Sequence, residues 1–188
     1  MKKHFFSFVL VFICFSSLKS QQGWWTWMNG NNVSNSAGVY GVQGVVAPAN
    51  VSPALYHCFQ WTDLQGRFWI FGGGDVNNNQ HCDLWMYDPG TNMWTWMKGP
   101  NTVQTNGVYG AQGVPNIANN PGSRAWGATS WVDNNGDLWL FGGFGFDAVG
   151  AQLPLSDLWR YNIATNTWTW MKGPNLANQP GVYGTQKE

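Results

Sequence analysis

His57-Cys58 and His81-Cys82 are matching dipeptides, and they hold every His and Cys of the chain except His4 and Cys14. A structural or catalytic metal would need several such nitrogen and sulfur ligands converging on one point. Neighbours in a strand point to opposite faces, so His57 and Cys58 cannot easily share an ion. A disulfide between Cys58 and Cys82 would suit an exported protein, although the strand order predicted below places another strand between them. Disulfide, metal site and free thiols stay open at this point, with metal the least favoured. No Ser/His/Asp triad can be assembled. Asp133 to Asp137 lacks the acid spacing of a calcium loop, and Asn135-Gly136 at its centre suits a two-residue hairpin. The pairs Gly72-Gly73 and Gly142-Gly143 are expected to end strands and precede no helix, so they form no phosphate loop. No cofactor is expected.

Composition narrows the classes further. Charged residues are 10% of the 188, against roughly 25% in an average soluble domain. Aromatics reach 16%, with 14 Trp, which excludes a disordered chain. A net charge of +0 argues against a nucleic-acid partner. Gly, Asn, Trp and Thr replace the Ala, Leu, Glu and Lys of a helical bundle. Lys2 and Lys3, the apolar run Phe5 to Phe15, and the small residues Ser16, Ser17 and Ser20 have the layout of a secretory signal peptide over residues 1–20. The run is too short to span a bilayer, and no other stretch is a membrane span. Ile13 before Cys14 argues against lipid attachment. The expected location is secreted or extracytoplasmic, at the cell surface or in a periplasm.

The positioning elements come from a repeat. Trp25-Thr26-Trp27-Met28-Asn29-Gly30 returns as Trp94-Thr95-Trp96-Met97-Lys98-Gly99 and as Trp168-Thr169-Trp170-Met171-Lys172-Gly173. Gly-Val-Tyr-Gly follows each copy, bringing Tyr40, Tyr109 and Tyr183. Trp61 and Asp63 recur as Trp131 and Asp133, Phe71-Gly72-Gly73 as Phe141-Gly142-Gly143, and Asp83-Leu84-Trp85 as Asp157-Leu158-Trp159. Each full unit reads as four short strands with turn residues between them. The first unit has strands at 55–62, 67–71, 84–87 and 93–97. The second has them at 124–132, 137–141, 158–161 and 167–171. These runs define units 54–99 and 123–173, preceded by a lone fourth strand at 22–30 and followed by a connection at 174–188. Strands with two apolar faces need like neighbours on both sides.

The double glycines, Tyr87 followed by Trp94, and Tyr161 followed by Trp168 resemble the Kelch repeat. The resemblance covers nearly all of residues 21–188. It implies an all-β fold: a β-propeller of four-stranded antiparallel blades, of which about two are complete here. Arg124 matches the arginine the family pattern places in the first strand. The corresponding stretch Pro53-Ala54-Leu55-Tyr56 is shorter and has none, so that blade is expected to be distorted. A ring needs about four to eight blades. The expectation is a truncated or fragmentary propeller, closed by missing blades or by self-association.

Alternating strand direction brings the second-to-third and fourth-to-first connections to one end of the blades. That end then carries the long loops, at 72–82, 142–156 and 99–123, and long loops on a rigid frame are where binding concentrates. The candidates there are Asp75, Asn77, Asn78, Asn79 and His81 in one loop, Phe144, Phe146 and Asp147 in its equivalent, and Tyr109 and Gln112 in the long connection. Tyr109 recurs and is expected to be mainly structural, as are most of the Trp residues; a rim aromatic could also carry a sugar ring. The functional expectation is a secreted, non-catalytic module that binds a protein or glycan. The alternative implied by resemblance is the propeller part of a copper oxidoreductase similar to galactose oxidase, or of another carbohydrate-active enzyme. That chemistry requires two His, two Tyr and a Tyr–Cys crosslink, and only His57 and His81 remain, within one blade.

Overall fold

The computed structural model describes residues 23–186. The expected leader over 1–20 lies outside the described residues. Eight strands form two four-stranded sheets: β1 (Phe59–Thr62), β2 (Phe68–Phe71), β3 (Leu84–Asp88), β4 (Met93–Lys98), then β5 (Arg124–Val132), β6 (Leu138–Phe146), β7 (Gln152–Asn162) and β8 (Thr167–Lys172). Both sheets are antiparallel meanders, β1-β2-β3-β4 and β5-β6-β7-β8. Among the described residues there is no helix. The fold is all-β, two four-stranded antiparallel sheets packed as neighbouring blades.

The turns form for the reasons their residues suggest. Asp63 accepts hydrogen bonds from the backbone N–H of Gln65 and Arg67, and from the Arg67 Nε and Trp69 Nε1. Asp133 repeats the device with Asn135, Asp137 and Trp139. The stretch 133–137 is therefore a hairpin whose first carboxylate is saturated internally. The third-to-fourth turns are held by tyrosine: the Tyr87 hydroxyl donates to Asn92 Oδ1 and that of Tyr161 to Asn166 Oδ1. Tyr87 and Tyr161 also pack on Trp94 and Trp168, each pair with ring centroids 5.1 Å apart.

The core lies between the blades. One face of the first blade presents Trp61, Trp69 and Phe71, all buried, to Leu138, Leu140, Tyr161 and Trp168 of the second. Trp69 lies 5.8 Å from Tyr161 and Phe71 5.5 Å from Trp168, centroid to centroid. Trp61 Nε1 donates to the Trp139 carbonyl, and the Ser130 hydroxyl to that of Gln60. The backbone of Arg124 joins the blades again: its N–H donates to the His81 carbonyl, and its carbonyl accepts from the Gly73 N–H. This approach requires glycine. A Cβ on Gly72 would lie 2.5 Å from the Arg124 carbonyl oxygen, and the φ of +61° is one that side chains disfavour.

Four expectations are corrected. Residues 23–28 form no strand, and Trp24, Trp25 and Trp27 are exposed, because no sheet lies beside them to pair with. The first strand of the first blade begins at Phe59 rather than Leu55, since His57 takes a positive φ of 54° and breaks the extended run; Tyr56 makes only a single bridge to Gly74. Gly142-Gly143 does not end a strand. It stays inside β6 opposite register shifts whose extra residue lies on β5 and on β7, and β6 continues to Phe146 beside an equally extended β7. The expected loop at 142–156 is therefore mostly a hairpin whose turn spans 147–151.

Candidate functional site

Asp83, immediately before β3, and Asp157, in the middle of the longer β7, are equivalent positions of the repeat. Asp157 Oδ2 accepts from the Tyr109 hydroxyl at 2.7 Å, from Trp159 Nε1 at 2.7 Å and from Arg124 Nη2 at 2.9 Å, while its Oδ1 accepts from Arg124 Nη1 at 2.8 Å. Both members of this ion pair are fully buried. Burial alone would raise the Asp157 carboxyl, but the Arg124 charge and the hydrogen bonds from Arg124, Trp159 and Tyr109 outweigh it and hold the group below the ordinary carboxylate range. The guanidinium also donates to the carbonyls of Gly122 and Gly142. Arg124 thus ties the start of β5 to the middle of β7 within its own blade.

The first blade keeps the acid and lacks the arginine. Asp83 Oδ2 accepts from the Tyr40 hydroxyl and Trp85 Nε1, both at 2.7 Å, as in the second blade. Its Oδ1 is buried without a hydrogen-bond partner. The bridges Tyr56 to Gly74 and Val39 to Val51, against Ala125 to Phe144 and Val108 to Asn120, place Leu55 at the register position of Arg124. His81 stands where the second blade has Leu155. Its Nδ1 is 3.5 Å from Asp83 Oδ1 and its Nε2 is 3.8 Å from Asp75 Oδ2. His81 Nε2 also has no hydrogen-bond partner, and the residue is 7% exposed.

Tyr40 and His81, which contact Asp83, border a cavity of about 280 Å³, while Asp83 and Leu55 lie outside its lining. Its wall is drawn from three connections at the long-loop end: Ser36, Gly38 and Tyr40 before the first blade, Asp75, Asn77 and His81 between β2 and β3, and Asn101 after β4. Pro53 and Ala54 complete it. Three of the sequence candidates, Asp75, Asn77 and His81, meet here. Asp75 is a turn former as well: Oδ1 accepts from the N–H of Asn77 and Asn79, and Oδ2 from Asn79 Nδ2. Asn78 lies outside the lining and accepts from the Tyr56 hydroxyl.

The other candidates separate from this cavity. Asp147 is 2% exposed and saturated by the N–H groups of Val149, Ala151 and Ala177, so it closes the β6–β7 turn and docks the chain at 177. Tyr109 is buried on Asp157, and burial followed by that carboxylate raises its hydroxyl pKa strongly. Its role is structural. Phe144 and Phe146 are half-buried strand residues of β6 rather than loop residues. Gln112 is exposed on the long connection, apart from the cavity.

Sequence reasoning missed Tyr40 and Asn101 as cavity residues. It also missed Tyr56 and Trp126, whose rings lie 5.9 Å apart in a cluster with His57 and Phe144. Trp126, like His57, has a positive φ. A second cavity, of about 430 Å³, contains the buried Lys98, whose ammonium donates to the Ile117 carbonyl and whose pKa burial lowers. The signal for the Asp83 site was present in the chain: the acid recurs in both repeats and the arginine in only one.

Cys58 and Cys82 are free thiols, so the disulfide option is corrected. β2 lies between the strands that follow them, and the Cys82 thiol faces Ser123 and Thr105 instead. Burial, reinforced by the Asp83 charge, pushes Cys58 up to about 12 and Cys82 up to about 11. Neither is a thiolate nucleophile at neutral pH. Among the described residues, no group of three or more His, Cys, Asp or Glu side chains could hold a metal ion. No described helix is long and apolar enough to cross a membrane.

Comparison with known families gives one result. The Kelch motif family model matches residues 134–176, from the β5–β6 turn through β8. No curated protein matches the chain.

Proposed function

We propose that this chain, which carries a Kelch motif within two stacked four-stranded blades, is an exported, non-catalytic interaction module that binds a protein or glycan through its long-loop end. The observation that carries the reading is the cavity between Tyr40, Asp75, Asn77, His81 and Asn101, which joins three separate connections over a rigid frame. The neighbouring cluster of Tyr56, His57, Trp126 and Phe144 supports it by offering flat aromatic surface beside that end. The leader-like residues 1–20 support export.

The test is a screen of the chain on glycan and peptide arrays, repeated with Asn77→Trp. Asn77 is exposed, and only its backbone N–H holds the turn, so the substitution narrows the cavity without removing a buried contact. Ligands bound by the native chain and lost by the variant are the expected result. Ligands held equally by both, or no ligand on either array, would overturn the proposal.

A further inference from the structure

Both blades build the same receptor for a guanidinium, and one of them leaves it without its own arginine. In the second blade the receptor is Asp157, oriented by Tyr109 and Trp159, with the carbonyls of Gly122 and Gly142 on the edge of the planar group. The first blade repeats the carboxylate with both orienting donors, Tyr40 and Trp85, at the same distances. The register places Pro53 and Gly72 at the positions of Gly122 and Gly142. What differs is the side chain at the arginine position, Leu55, which supplies no charge.

Three observations point to a ligand in the cavity in front of Asp83. Asp83 is 1% exposed and its Oδ1 has no hydrogen-bond partner, an unfavourable state for a buried carboxylate oxygen. His81, which contacts both Asp83 and Asp75 only at 3.5 Å and 3.8 Å, lines the cavity with its own Nε2 unpartnered. No lysine or arginine lines that cavity, while Asp75 faces it and Asp83 lies behind His81 and Tyr40. A planar cation matches this arrangement better than an ammonium would, because a guanidinium donates in a fork to a carboxylate and to flanking carbonyls together. Pro53, Ala54 and the Tyr40 ring would cover an aliphatic stem.

We infer that the cavity in front of Asp83 captures an arginine side chain presented by a protein partner, its guanidinium reaching past His81 and Tyr40 to that carboxylate as Arg124 reaches Asp157 within the second blade. The inference rests on the long-loop end being a binding surface, and it narrows the partner there to a protein.

N-acetyl-arginine methylamide is the probe, and the neutral N-acetyl-citrulline methylamide is its control. Binding is followed through the indole N–H resonance of Trp85, which is bonded to the same carboxylate. A saturable shift is expected with the arginine probe, and binding of the citrulline compound is expected to be about tenfold weaker or less, the effect of losing one charge-assisted hydrogen bond. Leu55→Arg should fill the receptor from within: it abolishes the probe's shift while thermal stability is retained or raised. Asp83→Asn should weaken the probe by a similar factor. Equal shifts from both compounds, no shift from either, or an unchanged probe response in Leu55→Arg would overturn the inference. Failure here combined with Asn77→Trp-sensitive ligands on the arrays would remove the arginine assignment and leave the binding surface standing.

Discussion

Arg124→Met lowers the free energy of unfolding by about 3–5 kcal/mol, the usual cost of removing one partner from a fully buried ion pair. The methionine replaces most of the volume, so the loss comes chiefly from the stranded charge of Asp157. Trp159 and Tyr109 still donate to that carboxylate, but they bring no positive charge. The double variant Arg124→Met/Asp157→Asn should therefore be more stable than Arg124→Met alone, because the amide oxygen still accepts those two hydrogen bonds and no charge is left behind. The pH dependence reverses as well. In the native chain the Asp157 pKa is depressed on folding, so its stabilisation is present above about pH 4 and is lost as the pH falls through the folded value. In Arg124→Met burial prevails and raises that pKa, so stability increases as the pH falls through the raised folded value. Urea denaturation from about pH 2 to about pH 8 reads both effects. A double variant as unstable as the sum of the two single changes would contradict this reading of the pair.

Trp69→Ala costs about 3–5 kcal/mol, whereas Trp139→Ala costs about 1–2 kcal/mol. The two residues are equivalent in the repeat. Each indole donates to the carboxylate of its hairpin, Asp63 or Asp133, at 2.8 Å. Trp69 is 1% exposed because the second blade covers it, with Tyr161 5.8 Å away. Trp139 stacks on Trp131, 5.6 Å between centroids and 9° between planes, and Trp131 is 40% exposed. A cavity opens in the first case and not in the second. The comparison isolates what a neighbouring blade contributes, because propensity, turn and strand position are the same. Equal costs, measured by chemical denaturation, would mean that the sheets stabilise themselves and not one another.

Strand identity and order were legible because aromatic residues alternate between Gly, Asn and Asp punctuation, and because two copies could be aligned. The hairpin carboxylates Asp63 and Asp133 were legible in the same way. The strand ends were not. β6 and β7 run past Gly142-Gly143 because backbone on both sides pairs with those glycines across register shifts in β5 and β7, which depends on partners rather than on glycine itself. The lone hexapeptide at 25–30 has the residues of a strand and no described neighbour to pair with, so the same local pattern gives opposite outcomes. At the candidate site, loop position named Asp75, Asn77 and His81, which line one cavity. It misplaced Asp147, because a turn aspartate that accepts three backbone donors looks in sequence like one that is free to bind. The orphaned Asp83 oxygen had its signal in the repeat, an acid kept in both units and an arginine in only one, but the partners of each carboxylate oxygen follow from the packing of Tyr40, Trp85 and His81.

Hydrogen exchange of the tryptophan indole N–H groups tests the stacking of the blades most directly. Trp61 Nε1 donates across the interface to the Trp139 carbonyl at 2.9 Å, and Trp61 is 5% exposed. Its counterpart Trp131 is 40% exposed and has no such acceptor among the described residues. The blades packed as described predict a Trp61 indole that exchanges orders of magnitude more slowly than that of Trp131. Matching fast exchange at both indoles would contradict the packing on which the whole account stands.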